Sequence, residues 1–294
     1  HHHHHHVGGG RHLAETLTHR GPRNWAAHDH QESCVTHHSM MLSRRLLSWG
    51  ASSSSGGSGN AAAGTTTSVA SSTWARELHA HADWLDVAYY NGVLGTQRGN
   101  QPGAMVYMMP LGGGVSKAGG NHGFSNTESH FWCCMGSGIE AFTRMHASVF
   151  YSRVPKASER SSVKEVIVLQ HISTSLTWHE ANCNITLYAD AAGDVPAGET
   201  PLVSTLNVSD LPLGPHRSGV ATGSCLVKVR LRVPGWAFAA HVELLGTANV
   251  TKGWEPKPAS FVSRTLTDGG GIRLRLWARP ALRRPSGDFT GSGS

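Results

Sequence analysis

Apolar positions recur every three or four residues in the first half of the chain and every second residue in much of the second half, which predicts helices followed by strands. Leu42, Leu46 and Trp49 fall on one face, separated by Arg44, Arg45 and Ser48, and predict an amphipathic helix that begins just after Glu32 and Cys34. Trp74, Leu78, Ala82, Leu85 and Tyr89 form a second stripe, predicting a helix over about Thr73 to Asn91 that Gly92 ends. Ile139, Phe142 and Met145 predict a third, running to about His146 and starting at Cys133 and Cys134; a short helical piece is expected over Leu13 to Leu17. Ala104 to Met109 reads as a short apolar strand or extended stretch.

The period then changes. Val149 to Tyr151, Val163 to His171 and Ile185 to Tyr188 are strand-like, and Val227, Val229, Leu231 and Val233 alternate with Lys228, Arg230 and Arg232. Ile272, Leu274 and Leu276 repeat the alternation against Arg273 and Arg275, the signature of strands with one buried and one wet face, as in an antiparallel sandwich. The expectation is an α+β chain with a helical part over residues 11–151 and a β part over 163–285, separated by the polar stretch 152–162. Within the helical part, the Ser-, Gly-, Ala- and Thr-rich run 51–72 reads as a flexible surface insertion, and residues 286–294 read as a disordered tail.

Composition narrows the function classes. His1 to His6 read as a purification tag or a cut edge, so residues 1–10 are set aside and the chain is expected to be a fragment. No apolar run approaches the roughly 18 residues that span a membrane. The net charge of +6 comes from scattered Lys and Arg with no aromatic-basic motif, so a solvated basic surface is expected rather than a nucleic-acid partner. Sequons at Asn184, Asn207 and Asn249 allow glycosylation in a secretory compartment, the localisation expected here.

Five cysteines carry the candidate chemistry. Glu32-Ser33-Cys34 and, about a hundred residues on, Phe131-Trp132-Cys133-Cys134-Met135-Gly136 together offer three thiols and a carboxylate, the right ligands for one tetrahedral zinc ion. Adjacent cysteines converge on one ion only where the backbone bends, and Gly136 and Gly138 supply that freedom. A helix N-terminus at Cys133 favours thiolate over thiol. The alternative is that these are buried or disulfide-bonded cysteines of a secreted protein, and spacing alone leaves both readings open. Cys183 and Cys225 either pair with each other or stay free.

These clusters also resemble a known family. Glu32 to Cys34, Tyr90-Asn-Gly-Val-Leu-Gly-Thr-Gln97, Pro102-Gly-Ala-Met-Val-Tyr-Met-Met-Pro-Leu111, Val115-Ser-Lys-Ala118, and Phe131 to Cys134 followed by Gly138-Ile-Glu-Ala-Phe142 are similar to the plant and algal branch of the β-L-arabinofuranosidase glycoside hydrolases. Leu169 to Trp178 and Leu231-Arg-Val-Pro-Gly-Trp236 resemble it too. The resemblance implies part of an (α/α)6 barrel followed by a β-sandwich, with zinc held by Glu32, Cys34, Cys133 and Cys134. It implies that Cys133 is the nucleophile of a retaining hydrolysis of arabinose-containing glycans or glycoproteins, and it places an active-site tyrosine at Tyr107. His130 and Trp132, beside the cysteines, are candidates to line and stack on the sugar, against a loop histidine and a packing tryptophan.

The family's acid/base glutamate lies upstream of the position of Arg11, where Val7 to Gly10 hold no carboxylate; Glu15 is the nearest candidate. The resemblance therefore implies a chain that is weakly active or inactive by itself, with a non-catalytic, zinc-stabilised carbohydrate-binding or structural fragment as the alternative. Glu128 is expected on the surface and Glu140 is expected to cap or pair locally on its helix. A partial barrel leaves apolar helix faces uncovered, so self-association is expected.

Overall fold

The computed structural model describes residues 30–53, 66–110, 116–117, 123–153, 162–191, 201–211, 224–246 and 253–278. The chain divides into two compact units, one built on residues up to Ser43 with Leu85–Arg144, the other on Arg44–Trp84 with Met145–Ala281. The helical piece expected over Leu13 to Leu17, Glu15, the sequon at Asn249 and the tail lie outside the described residues.

The first unit opens with strand β1 (His30–Glu32), which runs straight into helix α1 (Ser33–Ser53). From Arg44 on, α1 belongs to the second unit, as does helix α2 (Thr66–Val87) as far as Trp84; in the first unit α2 continues as a π-helical turn over Ala88–Val93 and a 3-10 turn over Leu94–Thr96, so it passes Gly92 rather than ending there. Both helices reach into the stretch expected to be irregular, since α1 runs to Ser53 and α2 begins at Thr66; residues 54–65 are outside the description. Strand β2 (Met108–Pro110) pairs antiparallel with β1, setting Glu32 opposite Met108. Helix α3 (Cys133–Thr143) closes the unit.

Two helices are rotated from the faces their apolar spacing predicts. On α3, Ile139 is 69% exposed and Phe142 37%, while Cys134, Gly138 and Ala141 are buried. On α1, Leu42 and Trp49 are exposed, and the buried positions are Ser33, Thr36, His37, Met40, Ser43, Arg44 and Leu47. The cause is local: α3 turns Cys134 inward, and positions four and seven residues on must follow it. Gly138 makes this seating close, because a Cβ there would stand 3.4 Å from Met105 Sδ. The α2 stripe of Leu78, Ala82, Leu85 and Tyr89 is buried as its spacing predicts.

Among its described residues the second unit carries nine strands: β3 (Phe150–Arg153), β4 (Lys164–Val168), β5 (Thr174–Trp178), β6 (Cys183–Ala191), β7 (Leu202–Asp210), β8 (Leu226–Val233), β9 (Ala237–Leu245), β10 (Ser260–Thr267) and β11 (Gly271–Ala278). One sheet runs β5-β6-β7-β11-β9, antiparallel throughout; the other runs β10-β8-β4-β3. Here the purely antiparallel expectation is corrected, since β4 and β8 are parallel. A parallel pair needs a crossover, and the chain makes it by laying β5, β6 and β7 into the other sheet between β4 and β8.

The inward-facing positions of both sheets form one apolar cluster, including Val166, Val168, Ile185, Leu206, Val229, Leu231, Ile272 and Leu274. Cys183 and Cys225 join β6 to the start of β8 as a disulfide with Cα atoms 4.9 Å apart. His171 bridges the sheets in polar fashion: Nε2–H donates to the Arg232 carbonyl at 2.9 Å, and Nδ1 accepts from Ser204 Oγ at 2.9 Å.

Arg232 is fully buried on the opposite face of β8, where its guanidinium donates to the Leu169 carbonyl and pairs with Asp83 of α2. Asp83 also accepts the Gly235 N–H at 3.1 and 3.2 Å. One turn earlier His79 packs on Phe261 at 4.7 Å, and burial, then Arg232 and Arg230, lower its pKa from 6.5 to about 4. Glu165 is buried among Arg153, Lys228 and Arg230 at 3.5–3.7 Å, an arrangement fixed by the Arg153–Glu165–Lys228 register.

Removing Asp83 leaves the Arg232 guanidinium buried without its carboxylate, so Asp83→Ala is expected to cost about 3 kcal/mol in urea unfolding. Because the unfolded chain protonates its histidine near pH 6.5 and folded His79 only near 4, stability is full above that window and falls as pH drops through it. His79→Gln should flatten this part of the pH dependence of the urea midpoint.

Candidate metal centre

Glu32, Cys34, Cys133 and Cys134 come together, each offering one donor atom, with all four donors within 4.8 Å of one another. Their convergence comes from two helix starts. Glu32 ends β1, held by its pairing to Met108, and Cys34 lies in the first turn of α1. Cys133 and Cys134 are the first residues of α3, entered from an extended Trp132 (φ −70°, ψ 159°) whose side chain makes no capping bond. The Met135 N–H donates to the Trp132 carbonyl at 2.9 Å, and the positive end of the α3 dipole lies at the two cysteines.

Cys34 Sγ lies 3.5 Å from Cys134 Sγ, 4.0 Å from Cys133 Sγ and 3.1 Å from Glu32 Oε2. Two thiolates bound tetrahedrally at about 2.3 Å each stand roughly 3.8 Å apart, which the two sulfur separations bracket. The donor set therefore fits a tetrahedral, thiolate-preferring ion. The same proximity shapes the free thiols. The hydrogen bond to Cys134, then burial and the hydrogen bond to Glu32, push the Cys34 thiol far above its usual range. In turn the Cys34 hydrogen bond lowers Cys134 to about 6, aided by the Cys34 backbone N–H and the Ser33 side chain.

Cys133 is exposed, whereas Cys134 is buried. Beside Cys133 stands a row of rings: Tyr107 lies 5.0 Å from Trp132, and His130 stacks on Trp132 at 4.7 Å and 23°. Burial first, then the charges of Glu32 and Cys133, push Tyr107 up to about 12, so it remains a neutral phenol hydrogen-bonded to Cys133. His130 is held in its loop by the Asn126 N–H, 3.2 Å from Nδ1. Asn126 Oδ1 in turn accepts the N–H groups of Glu128 and Ser129 at 3.1 and 2.7 Å. Glu128 is exposed, in line with the sequence reading.

All seven residues singled out from the sequence thus fall in one neighbourhood of the first unit. The sequence reading missed three supporting positions. Ser33 is buried with its hydroxyl 3.4 Å from the Cys134 carbonyl. His37 is buried one turn beyond Cys34. Gly92 lies where α2 crosses the start of α1, and a Cβ there would come within 2.6 Å of Thr36 Cγ2 and 3.0 Å of Gln31 Nε2. The π-helical turn that contains Gly92 is the one local signal that could have pointed to it.

The family described as β-L-arabinofuranosidase, GH127 catalytic domain, matches residues 1–147. Among solved structures, a GH127 β-L-arabinofuranosidase from Geobacillus stearothermophilus T6 aligns at 16% identity with a TM-score of 0.42, over 71% of this chain and 31% of its own. The chain thus spans about a third of that enzyme's length. A comparison with curated proteins found no match.

In the unfolded, unreduced chain three thiols are expected to titrate, rising to five after reduction. Gly92→Ala should displace Thr36 and Gln31 and, through them, Glu32 and Cys34. It is expected to weaken cobalt(II) binding about tenfold by competitive titration while the disulfide-bonded unit unfolds at its original urea midpoint.

Proposed function

Because the chain belongs to the GH127 β-L-arabinofuranosidase family, we propose that it carries the metal and nucleophile part of a retaining glycosidase site. The observation that carries this reading is the three-sulfur, one-carboxylate cluster with every donor within 4.8 Å. On this reading the first unit is part of an (α/α)6 barrel, the two sheets form a β-sandwich module, and Glu32, Cys34, Cys133 and Cys134 hold zinc. Zinc would supply thiolate character at neutral pH and make sulfur a better leaving group.

Cys133 is the nucleophile because it is the exposed sulfur, next to the ring row, while Cys134 is buried. Its sulfur attacks the anomeric carbon as the glycosidic oxygen leaves, giving a glycosyl-cysteine that water then hydrolyses with return of the sulfur. Tyr107, a neutral donor beside that sulfur, orients it and steadies its charge. Trp132 and His130 offer a face and a polar edge for a furanose ring. The substrate class is an arabinose-containing glycan or glycoprotein. The Cys183–Cys225 disulfide and the outward-facing Asn207 sequon support a secretory route.

Protonation of the leaving oxygen needs a carboxylic acid; the family resemblance implies one at or before Val7 to Gly10, and those four residues hold none. Turnover by this chain alone is therefore proposed to be weak or absent. That same feature favours the second reading, a zinc-stabilised fragment without catalysis. Exposed Leu42, Val87, Tyr90 and Ile139 support self-association of the first unit.

Elemental analysis of the purified chain is expected to find about one zinc per chain, with three thiols masked until a chelator is added. Occupancy should fall as pH drops, because protons compete for the sulfurs. Cys133→Ser should abolish any hydrolysis of a β-L-arabinofuranoside; unchanged hydrolysis would overturn the nucleophile assignment. A metal-free chain with freely reactive thiols would overturn the zinc reading.

A further inference from the structure

The four donors of the cluster are alike in charge once ionised, and they sit on two separate segments, the start of α1 and the start of α3. Without a metal, the Cys34 thiol bridges the two segments, its Sγ 3.1 Å from Glu32 Oε2 and 3.5 Å from Cys134 Sγ, and Ser33 Oγ reaches the Cys134 carbonyl at 3.4 Å. A metal takes the thiol protons and those sulfur hydrogen bonds with them, so contacts beyond the donors must hold α1 against α3 while it enters.

Farther along, His37 and Glu140 meet, with Nε2 3.4 Å from Oε2. His37 is three residues beyond Cys34, one turn up α1, and is buried to 1% exposure. Glu140 is seven residues beyond Cys133, two turns up α3 on the same face, and a helical side chain leans back toward its N-terminus. A long carboxylate two turns up α3 can thereby reach a ring one turn up α1. Arg144, one turn farther, holds the other Glu140 oxygen at 2.6 Å and fixes the carboxylate from the solvent side. The local pairing expected for Glu140 is thus present, but its second oxygen does something else.

We propose that the His37–Glu140 contact is a positioning clamp that keeps the Cys34 and Cys133–Cys134 segments at ligating distance before and during metal binding. This rests on the reading of the cluster as a metal centre and adds to it the residues that preorganise it. Neither residue touches the metal or the sugar; both act through the helices that carry the ligands. Supporting residues of this kind, when lost, cost about ten- to a hundredfold in metal affinity.

Cobalt(II) is the probe, since its sulfur charge-transfer absorption reports how many thiolates are bound, and the full chain is titrated against a competing chelator. Glu140→Ala is expected to bind cobalt about ten- to a hundredfold more weakly, with lower charge-transfer absorption per bound cobalt. Glu140→Gln, which keeps the side chain's length and one oxygen toward His37, should recover part of both. Arg144→Ala, which leaves the His37 contact in place, should stay within about threefold of the parent. His37→Gln provides a second break of the same contact from the α1 side, should Glu140→Ala fail to fold by circular dichroism. Parental affinity and absorption in Glu140→Ala or His37→Gln overturn the clamp. So does a lowered melting temperature of the metal-free variant with cobalt binding intact, the mark of a packing role alone. If the parent chain itself binds no cobalt, the metal-centre reading falls and takes the clamp with it, an outcome distinct from the other two.

Discussion

Three sulfurs and a carboxylate brought within 4.8 Å of one another are the constraint around which the first unit is arranged. No apolar pairing would collect such groups, since each would be better solvated alone. The chain collects them by starting two helices at the same place, so that the helix dipoles and the Cys34 N–H face the sulfurs. Everything nearby serves that approach. Gly138 lets α3 close on Met105, Gly92 lets α2 cross beside Thr36, and the β1–β2 pairing holds Glu32 in place.

This explains why helix rotation in the first unit does not follow hydrophobicity. A helix that buries Cys134, Gly138 and Ala141 must turn Ile139 outward, because the two sets lie on different faces. On α1 the same logic buries His37 and exposes Leu42. The geometry of the donors decides the rotation, and the apolar side chains take what remains.

In the second unit the organising forces are the ordinary ones. Alternating strands bury a shared apolar cluster, a disulfide ties the two sheets, and the fully buried Arg232 is matched by Asp83 and by the Leu169 carbonyl. Such a pair adds little net stability beyond an apolar replacement, but it fixes one orientation of α2 on the sheet, because a buried guanidinium accepts few alternatives.

The sequence by itself determined which reactive side chains the chain carries and much of the framework. The two cysteine clusters, the helix start at Cys133, the buried stripe of α2 and the alternation of β8 and β11 are local patterns, and local patterns survive without knowledge of contacts. The cluster of Glu32, Cys34, Cys133 and Cys134 and the nearby rings Tyr107, His130 and Trp132 were legible because their residue types and family-like spacing are distinctive. Only the tertiary structure decided what depends on partners far apart in the chain: the Cys183–Cys225 pairing, the parallel β4–β8 pair, the outward turn of Ile139 and Leu42, and the contact of His37 with Glu140. Those features arise where one segment meets another, and a side chain's face or partner is set by what it meets rather than by its neighbours in sequence.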